Sequence, residues 1–532
     1  MVIYQIYPRS FYDANNDGLG DLPGIATKLD YLKALGVDCL WISPFFKSPM
    51  KDFGYDVADY CAVDPIFGTM KDFDVLVEKC RKFGMDVMID MVLSHTSDQH
   101  PWFIESQASK NNPKANWYVW SDGDTSGPAK EAPTKPPNNW IALFGGSAWQ
   151  WNESRQAYYF HNFLTSQPDL NFHEPAVQEA LLEACEFWLK KGVRGFRLDV
   201  CNFYFHSQGL ENNALKEKSA QKTDGVHTEN PYNLQTHVFD KDRPENLQFL
   251  ASLRSLTDRY PGTVLMGEIV SDDSLKVMSQ YTSGAKPLQT AYNFSLFREG
   301  FDGGELAKVL ADFENRLPMG KPTWALGNHD VPRFLSRFKA EKGWPQSAKC
   351  FLFFLFSLRG NVILYQGDEL GFEEIEIPRE LMQDPFGIAF YPEFKGRDGC
   401  RTPIAWKPTD GEKPSWLPIS KKHLAKSVEL QESQPDSVLA FTKKLVSWRK
   451  ANSWLETAPL KILSSSADTL VIGREIAAQD LFVAAFNGGP EKRGLDIENI
   501  GRVDLEPYAF KAWLREPSTG LYREFDPSEY FL

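Results

Sequence analysis

The strongest constraint on the fold is a repeating order of segments: a short apolar run, an amphipathic stretch, a glycine, then another apolar run. "VIYQIYP" (2–8) is patterned as a strand and "GIATKLDYLKALG" (24–36) as a helix. "CLWISP" (39–44) is a second strand, "MKDFDVLVEKCRKFG" (70–84) a second helix and "DVMIDMV" (86–92) a third strand. Glycine just beyond a helix supplies the left-handed residue that lets the chain leave it. Strands alternating with helices of this length predict parallel strands joined by helical crossovers.

The order lapses over 97–170, where Pro, Gly, Asn and aromatics dominate and no long helical period survives. A stretch of that length without periodicity is a small irregular domain or a long functional loop. It holds six of the chain's 15 Trp. Two readings stand for them, fillers of a small core or platforms for a ring-shaped ligand. The alternation resumes with a helix at 175–192 and a strand in "VRGFRLDV" (193–200), and residues 201–245 are irregular. Helices follow at 245–260, 304–317 and 346–358, with strands at 263–268, 290–294, 323–328 and 361–367. About eight strands in this order predict a closed (β/α)8 (TIM) barrel rather than an open sheet. Segment 370–420 is a polar insertion and a last helix lies near 437–451. "LKILSSSADTLVIGREIAAQDLFVAAFN" (460–487) has strand-like runs and turns, predicting a small C-terminal β-domain.

Composition excludes several functions. With 42% apolar and 24% charged residues the 532-residue chain has ample material for a large core. Its net charge of −13 opposes nucleic acid and anionic membranes, so neither is an expected partner. Seven cysteines without a CxxC pair fit no zinc pattern, and Cys39, Cys185 and Cys350 lie in apolar runs, as buried thiols in a reducing compartment would. The N-terminus lacks a basic leader and apolar core, and the longest apolar run (350–358) is too short for a bilayer. A cytoplasmic location is the expectation; the oligomeric state is not legible.

In a (β/α)8 barrel, chemistry sits at the C-terminal ends of the strands. Strand three runs through Asp90 to His95, strand four ends at Asp199, strand five at Glu268, and strand seven at Asn328-His329-Asp330. A single acid after a strand usually caps the next helix. Three carboxylates, with Arg197 and His329 beside them, point instead to one mouth. Such a set suits glycosidic bond cleavage, in which one acid protonates the leaving oxygen and a second carboxylate attacks the anomeric carbon. Arg197 and Asp199 share a strand face, so the arginine is expected to lower the aspartate's pKa. Glu268, among Leu, Met, Gly and Ile, is expected to have its pKa raised by apolar surroundings.

"DMVLSH" (90–95), "GFRLDV" (195–200), "GE" (267–268) and "NHD" (328–330) resemble the four ordered motifs of glycoside hydrolase family 13, the α-amylase family. "VIYQIYPRSF" and "QPDLN" (167–171) resemble its α-glucosidase and oligo-1,6-glucosidase branch, and the likeness runs to "GRDGCRTPIAW" (396–406). The resemblance implies Asp199 as nucleophile, Glu268 as acid/base and Asp330 as transition-state stabiliser. It implies that Asp52, Tyr55, His95, Arg197, His329 and Arg397 hold the terminal glucose. It also implies a barrel of 1–96 and 171–455, an inserted domain B of 97–170 and a C-terminal domain of 456–532. Ser94 stands where the family commonly has Asn. Val200, after the nucleophile, leans towards α-1,6 linkages.

"DANNDGLGD" (13–21) sets oxygen-bearing side chains at alternate positions around Gly18, like the start of an EF-hand loop, but its twelfth residue is Gly24. A polar turn would explain it equally. The resemblance implies a structural Ca2+ or Mg2+ held by Asp13, Asn15, Asp17, the Leu19 carbonyl and Asp21, with no cofactor for the chemistry. The reading that results is an exo-acting retaining α-glucosidase acting on small oligosaccharides or disaccharides. A transglucosidase or sucrose isomerase on the same site is the alternative, though the isomerase-type "RLDKD" signature is absent. A non-catalytic barrel, like the ectodomains that accompany amino-acid transporters, fits poorly with three retained acids.

Overall fold

A computed structural model describes residues 1–124, 135–284, 287–318, 320–477, 480–516 and 519–525. Residues 125–134 of the inserted stretch and the end of the C-terminal segment lie outside these. Eight parallel strands form one sheet: β1 (Val2–Ile6), β2 (Cys39–Ile42), β3 (Asp86–Met91), β4 (Gly195–Leu198), β5 (Val264–Ile269), β6 (Thr290–Asn293), β7 (Thr323–Ala325) and β8 (Asn361–Tyr365). Their spatial order is β6-β5-β4-β3-β2-β1-β8-β7. The two end strands meet through a single bridge between Ala291 and Pro322, reinforced by Thr290 Oγ1 against Thr323 Oγ1 at 2.6 Å. The predicted barrel is therefore present, with one thin seam.

Alternation within the strands sorts side chains between two cores. Ile3, Trp41, Met88, Met266, Tyr292 and Ile363 pack together inside the barrel. Phe196 and Leu198 face outward into the core beneath the helices, whereas Arg197, between them, points into the barrel. Register then brings Arg197 opposite Asp90 on β3 and Met266 on β5, and Glu268 opposite Tyr292 on β6.

Most helices lie where periodicity puts them. The stretch 24–36 is two helices, Leu22–Thr27 and Leu29–Leu35, the second closed by Gly36 at φ 89°. Helices Pro101–Ala108 and Ser274–Thr282 carry no long apolar period and are not evident in the sequence. Between β3 and helix Pro175–Lys190 lies a three-stranded antiparallel sheet of Trp120–Ser121, Ala157–Phe160 and Trp149–Asn152. Trp140 and Trp149 are buried in its small core with Val119 and Phe160.

The apolar run at 350–358 lies in helix Gln346–Ser357, wedged between the barrel and a five-stranded antiparallel C-terminal sheet. Phe353 packs against Trp448, Phe486 and Phe510. Beneath that sheet the Arg474 guanidinium, fully buried, donates to the carbonyls of Ser357, Leu455 and Ala458. No helix among the described residues is long and apolar enough to cross a membrane. All seven cysteines are free, and only Cys61 is exposed.

Arg474→Met keeps the stem and removes the donors, leaving carbonyls whose desolvation costs ~1–3 kcal/mol each. The thermal unfolding midpoint should fall by several degrees while the barrel's far-UV dichroism is retained; an unchanged midpoint would contradict the joint.

Candidate active site

The strand ends deliver their acids to one opening because register and pleat leave no other direction. Eight of the ten predicted catalytic and substrate residues line a single cavity: Asp52, Tyr55, His95, Asp199, Val200, Glu268, Asp330 and Arg397. Its volume is about 110 Å3. At about 10–15 Å3 per water on this measure, that is room for roughly seven to eleven waters, the scale of one pyranose ring. Arg197 and His329, fully buried, support this lining without forming it.

Arg197 organises the site. Its Nη1 lies 2.8 Å from Asp90 Oδ1 and 2.5 Å from Asp199 Oδ1, and its Nη2 lies 2.6 Å from Glu268 Oε1. Nε and Nη2 also donate to the Tyr292 hydroxyl, which donates to Glu268 Oε1 at 3.0 Å. Glu268 Oε2 accepts from the backbone N–H of Val200. Val200 has φ 33°, a backbone position that β-branched residues rarely hold.

This geometry corrects the electrostatic expectation. Arg197 does not serve Asp199 alone, because three carboxylates share it. Burial outweighs its attraction and raises the Asp199 carboxyl to about 7, with the Asp90 charge adding to the rise. Burial also raises Glu268 to about 7, against Arg197, and Asp199 and Asp330 push it further. The surroundings of Glu268 are thus ionic as well as apolar, and burial raises both carboxyls. Asp330 differs. Although burial works against its charge, His329, Arg397 and Arg401 hold its carboxyl well below the usual range.

A second cluster adjoins the first. Arg397 Nη2 binds Asp52 Oδ1 at 2.8 Å and Asp384 Oδ1 at 2.7 Å, while Nη1 reaches Asp330 Oδ1 at 3.2 Å. Arg401 Nη2 lies 3.0 Å from the same oxygen of Asp330. Six carboxylates (Asp52, Asp90, Asp199, Glu268, Asp330 and Asp384) therefore meet three guanidiniums. The excess of anionic groups favours positive charge developing within the cavity.

Both site histidines are locked. Gln5 Nε2 donates to His329 Nδ1 at 2.8 Å, leaving Nε2–H to face the Tyr55 hydroxyl at 2.6 Å, and Tyr55 donates onward to Asp90 Oδ2. The Tyr55 and His329 rings stack with planes 4° apart. His95 rests on the Tyr55 carbonyl through Nε2 and on the Ser94 hydroxyl through Nδ1. Ser94 thus supplies the local hydrogen bond in place of asparagine.

Sequence reasoning missed Tyr292, Asp384, Arg401 and Gln167, the last donating to Asp52 Oδ2. It also missed an aromatic collar of Phe144, Phe163, Phe294 and Phe386 on the cavity wall. None of the six Trp from the inserted stretch lines the cavity. At the first loop, the Asp13 carboxylate accepts from the N–H groups of Asn15, Asn16 and Gly18, and Asp17 from Leu19. Asp21 caps the helix that follows. No group of three or more His, Cys, Asp or Glu among the described residues is arranged to hold a metal. Burial, with the nearby charges of Asp13 and Asp17, raises the Asp21 carboxyl. The hard oxygen donors and this crowding of negative charge are compatible with a cation.

Residues 5–458 match the model of the alpha-amylase catalytic domain. The chain is 48% identical to a probable alpha-glucosidase of Rhizobium meliloti, over 96% of this chain and 92% of that protein. It is 35% identical to an oligo-1,6-glucosidase of Bacillus cereus, covering 85% and 83%. Among solved structures it resembles the alpha-glucosyl transfer enzyme XgtA, with TM-score 0.90, 45% identity and coverage of 96% and 98%. It also resembles the trehalulose synthase MutB of Pseudomonas mesoacidophila, with TM-score 0.86, 29% identity and the same coverage.

Burial lowers His95 to about 4 and His329 to about 3, so both rings stay neutral above pH 5. Below the ordinary histidine range near 6.5 the unfolded chain takes up protons that these rings refuse, so their contribution to stability is lost as pH falls from there towards 4. Nitrogen-15 NMR should show neutral His95 and His329 at pH 5.5; imidazolium signals from either would contradict the network.

Proposed function

The chain belongs to the alpha-amylase family and is a glycoside hydrolase, and we propose that it is an exo-acting retaining α-glucosidase that releases terminal glucose from short α-glucosides. The observation that carries this reading is the single Arg197 fork shared by Asp199 and Glu268 beside a cavity of one-ring size. Two carboxylates on the terminal nitrogens of one guanidinium suit the roughly 5 Å of a retaining pair better than the roughly 6.5–9.5 Å of an inverting one.

Asp199 attacks the anomeric carbon while Glu268 gives its proton to the leaving oxygen. Glu268, now a carboxylate, then takes a proton from the incoming water as the ester to Asp199 breaks. Burial raises both carboxyls, and a glycosidic oxygen beside Glu268 gives the proton its acceptor there. Asp330 stays ionised and opposes the positive charge of the transition state. Asp52 and Arg397 hold the sugar's hydroxyl groups, His95 lines the cavity beside them, and His329 positions Tyr55 from beneath. The small cavity and the Asp52–Arg397 pair support attack at a chain end. The named activities of the relatives support glucose as the unit removed.

Transfer to a sugar hydroxyl is the second reading, favoured by the likeness to the alpha-glucosyl transfer enzyme and by the aromatic collar. Val200 inclines the linkage preference towards α-1,6. The division into barrel, 97–170 and 456–532, and a reducing, cytoplasmic setting for the free thiols, complete the proposal. A structural Ca2+ or Mg2+ at Asp13, Asn15, Asp17, Leu19 and Asp21 would brace the turn before the first helix, away from the reacting atoms.

Asp199→Asn should lower kcat by at least about a thousandfold while leaving the unfolding midpoint near that of the parent. Product-resolved assays of the parent on maltose, isomaltose, sucrose and trehalose check the substrate class. Near-normal turnover by the variant would remove the nucleophile. A chelator should lower the unfolding midpoint by several degrees while leaving kcat little changed; an unchanged curve, with no ion found by elemental analysis, would remove the metal.

A further inference from the structure

One wall of the cavity is a turn that belongs to neither barrel strand nor helix. It contributes Gly225, Val226, His227 and Asn230, and it separates the catalytic cavity from an adjoining one of about 760 Å3. The two cavities share Gly225, Val226, His227, Phe294, Asp330 and Phe386. A glycosyl acceptor reaching Asp199 from the larger cavity would pass this turn.

The turn is fixed from the strand that carries the acid. Just beyond Glu268, the Ser271 carbonyl accepts from Asp224 N–H, and Ser274 Oγ donates to Asp224 Oδ2. Asp272 Oδ1 accepts from Thr223 Oγ1 and from Lys216 Nζ, both at 2.7 Å. The Lys216 ammonium spends its other two N–H groups on the Lys222 carbonyl and Thr223 Oγ1. Its side chain is only 6% exposed. Two of the three donors are thus committed to residues 222–223 and the third to Asp272, a pattern that ties the loop to the segment beyond Glu268. From the other side, Asn230 Nδ2 donates to the Leu143 carbonyl, next to Phe144 of the collar. Gly225, at φ 85°, lies against Phe294 so closely that a Cβ there would meet the ring at 2.8 Å.

We propose that Lys216 and Asp272 are positioning residues for this turn and set how the glucosyl group is divided between water and an acceptor hydroxyl. The proposal rests on the α-glucosidase reading and deepens it. In the transfer step the acceptor's O–H gives its proton to the Glu268 carboxylate, its oxygen bonds to the anomeric carbon, and the ester oxygen departs as the Asp199 carboxylate. Water does the same in hydrolysis, so the chemistry is common to both. Only the larger nucleophile needs the wall in place.

The test uses 4-nitrophenyl α-glucoside as donor and maltose as acceptor, with Lys216→Met and Asp272→Asn. Each variant should release nitrophenol, without acceptor, within about twofold of the parent, while the ratio of transferred to free glucose falls roughly threefold or more and the KM for maltose rises. Lys216→Arg, which keeps the charge and the donors, should restore most of the ratio. An unchanged ratio in both variants overturns the proposal. So does a parallel fall in nitrophenol release and transfer together with a lower unfolding midpoint, since the network would then be merely structural. If the parent itself releases no nitrophenol, the α-glucosidase reading falls, and the proposal with it.

Discussion

The site depends on one buried guanidinium. Arg197 enters the barrel from the middle of β4 and takes Asp90, Asp199 and Glu268 from three neighbouring strands. Removing those carboxylates from water is expensive, and a single cation repays it only through close, directional contacts. Tyr292, the Val200 N–H and the Tyr55–His329–Gln5 chain supply the remaining hydrogen bonds. The strands that surround this fork are thereby tied to one another at the end where the chemistry takes place.

Sharing one cation among several acids also shapes their ionisation. A dedicated arginine would have left Asp199 strongly acidic and Glu268 free to stay protonated. The shared one leaves burial to prevail, and both carboxyls are raised. Asp330 stands apart because two further arginines face it. Access to cations thus distinguishes Asp330 from Asp199 and Glu268, which share one arginine.

Much of this was legible in the sequence. Alternation in "GFRLDV" put Arg197 and Asp199 on one face, and the position of acids after strands three, four, five and seven marked the mouth. The same reasoning could not count how many acids Arg197 would meet, because that depends on register between strands distant in sequence. Asp384 lies in a polar insertion without periodicity, so its approach to Arg397 left no local trace, whereas Arg401 stands inside the quoted "GRDGCRTPIAW" and only its contact with Asp330 was hidden. The tryptophans of the inserted stretch resolve towards packing: Trp140 and Trp149 fill a small core, and phenylalanines take the wall. Helix Ser274–Thr282 is only nine residues long, too short for a sustained period, although its Asp273 cap is plain once the backbone is seen.

The barrel's hydrogen-bond belt is continuous except between β6 and β7, where one backbone bridge and a pair of threonine hydroxyls close it. That seam runs out to the mouth between Phe294 and Asp330, two residues of the shared boundary between the cavities. Backbone hydrogen bonding is thinnest at one shoulder of the opening, away from the ladder joining β4 to β5. A guest passing Phe294 and Asp330 therefore meets the barrel where the fewest backbone bonds hold it together.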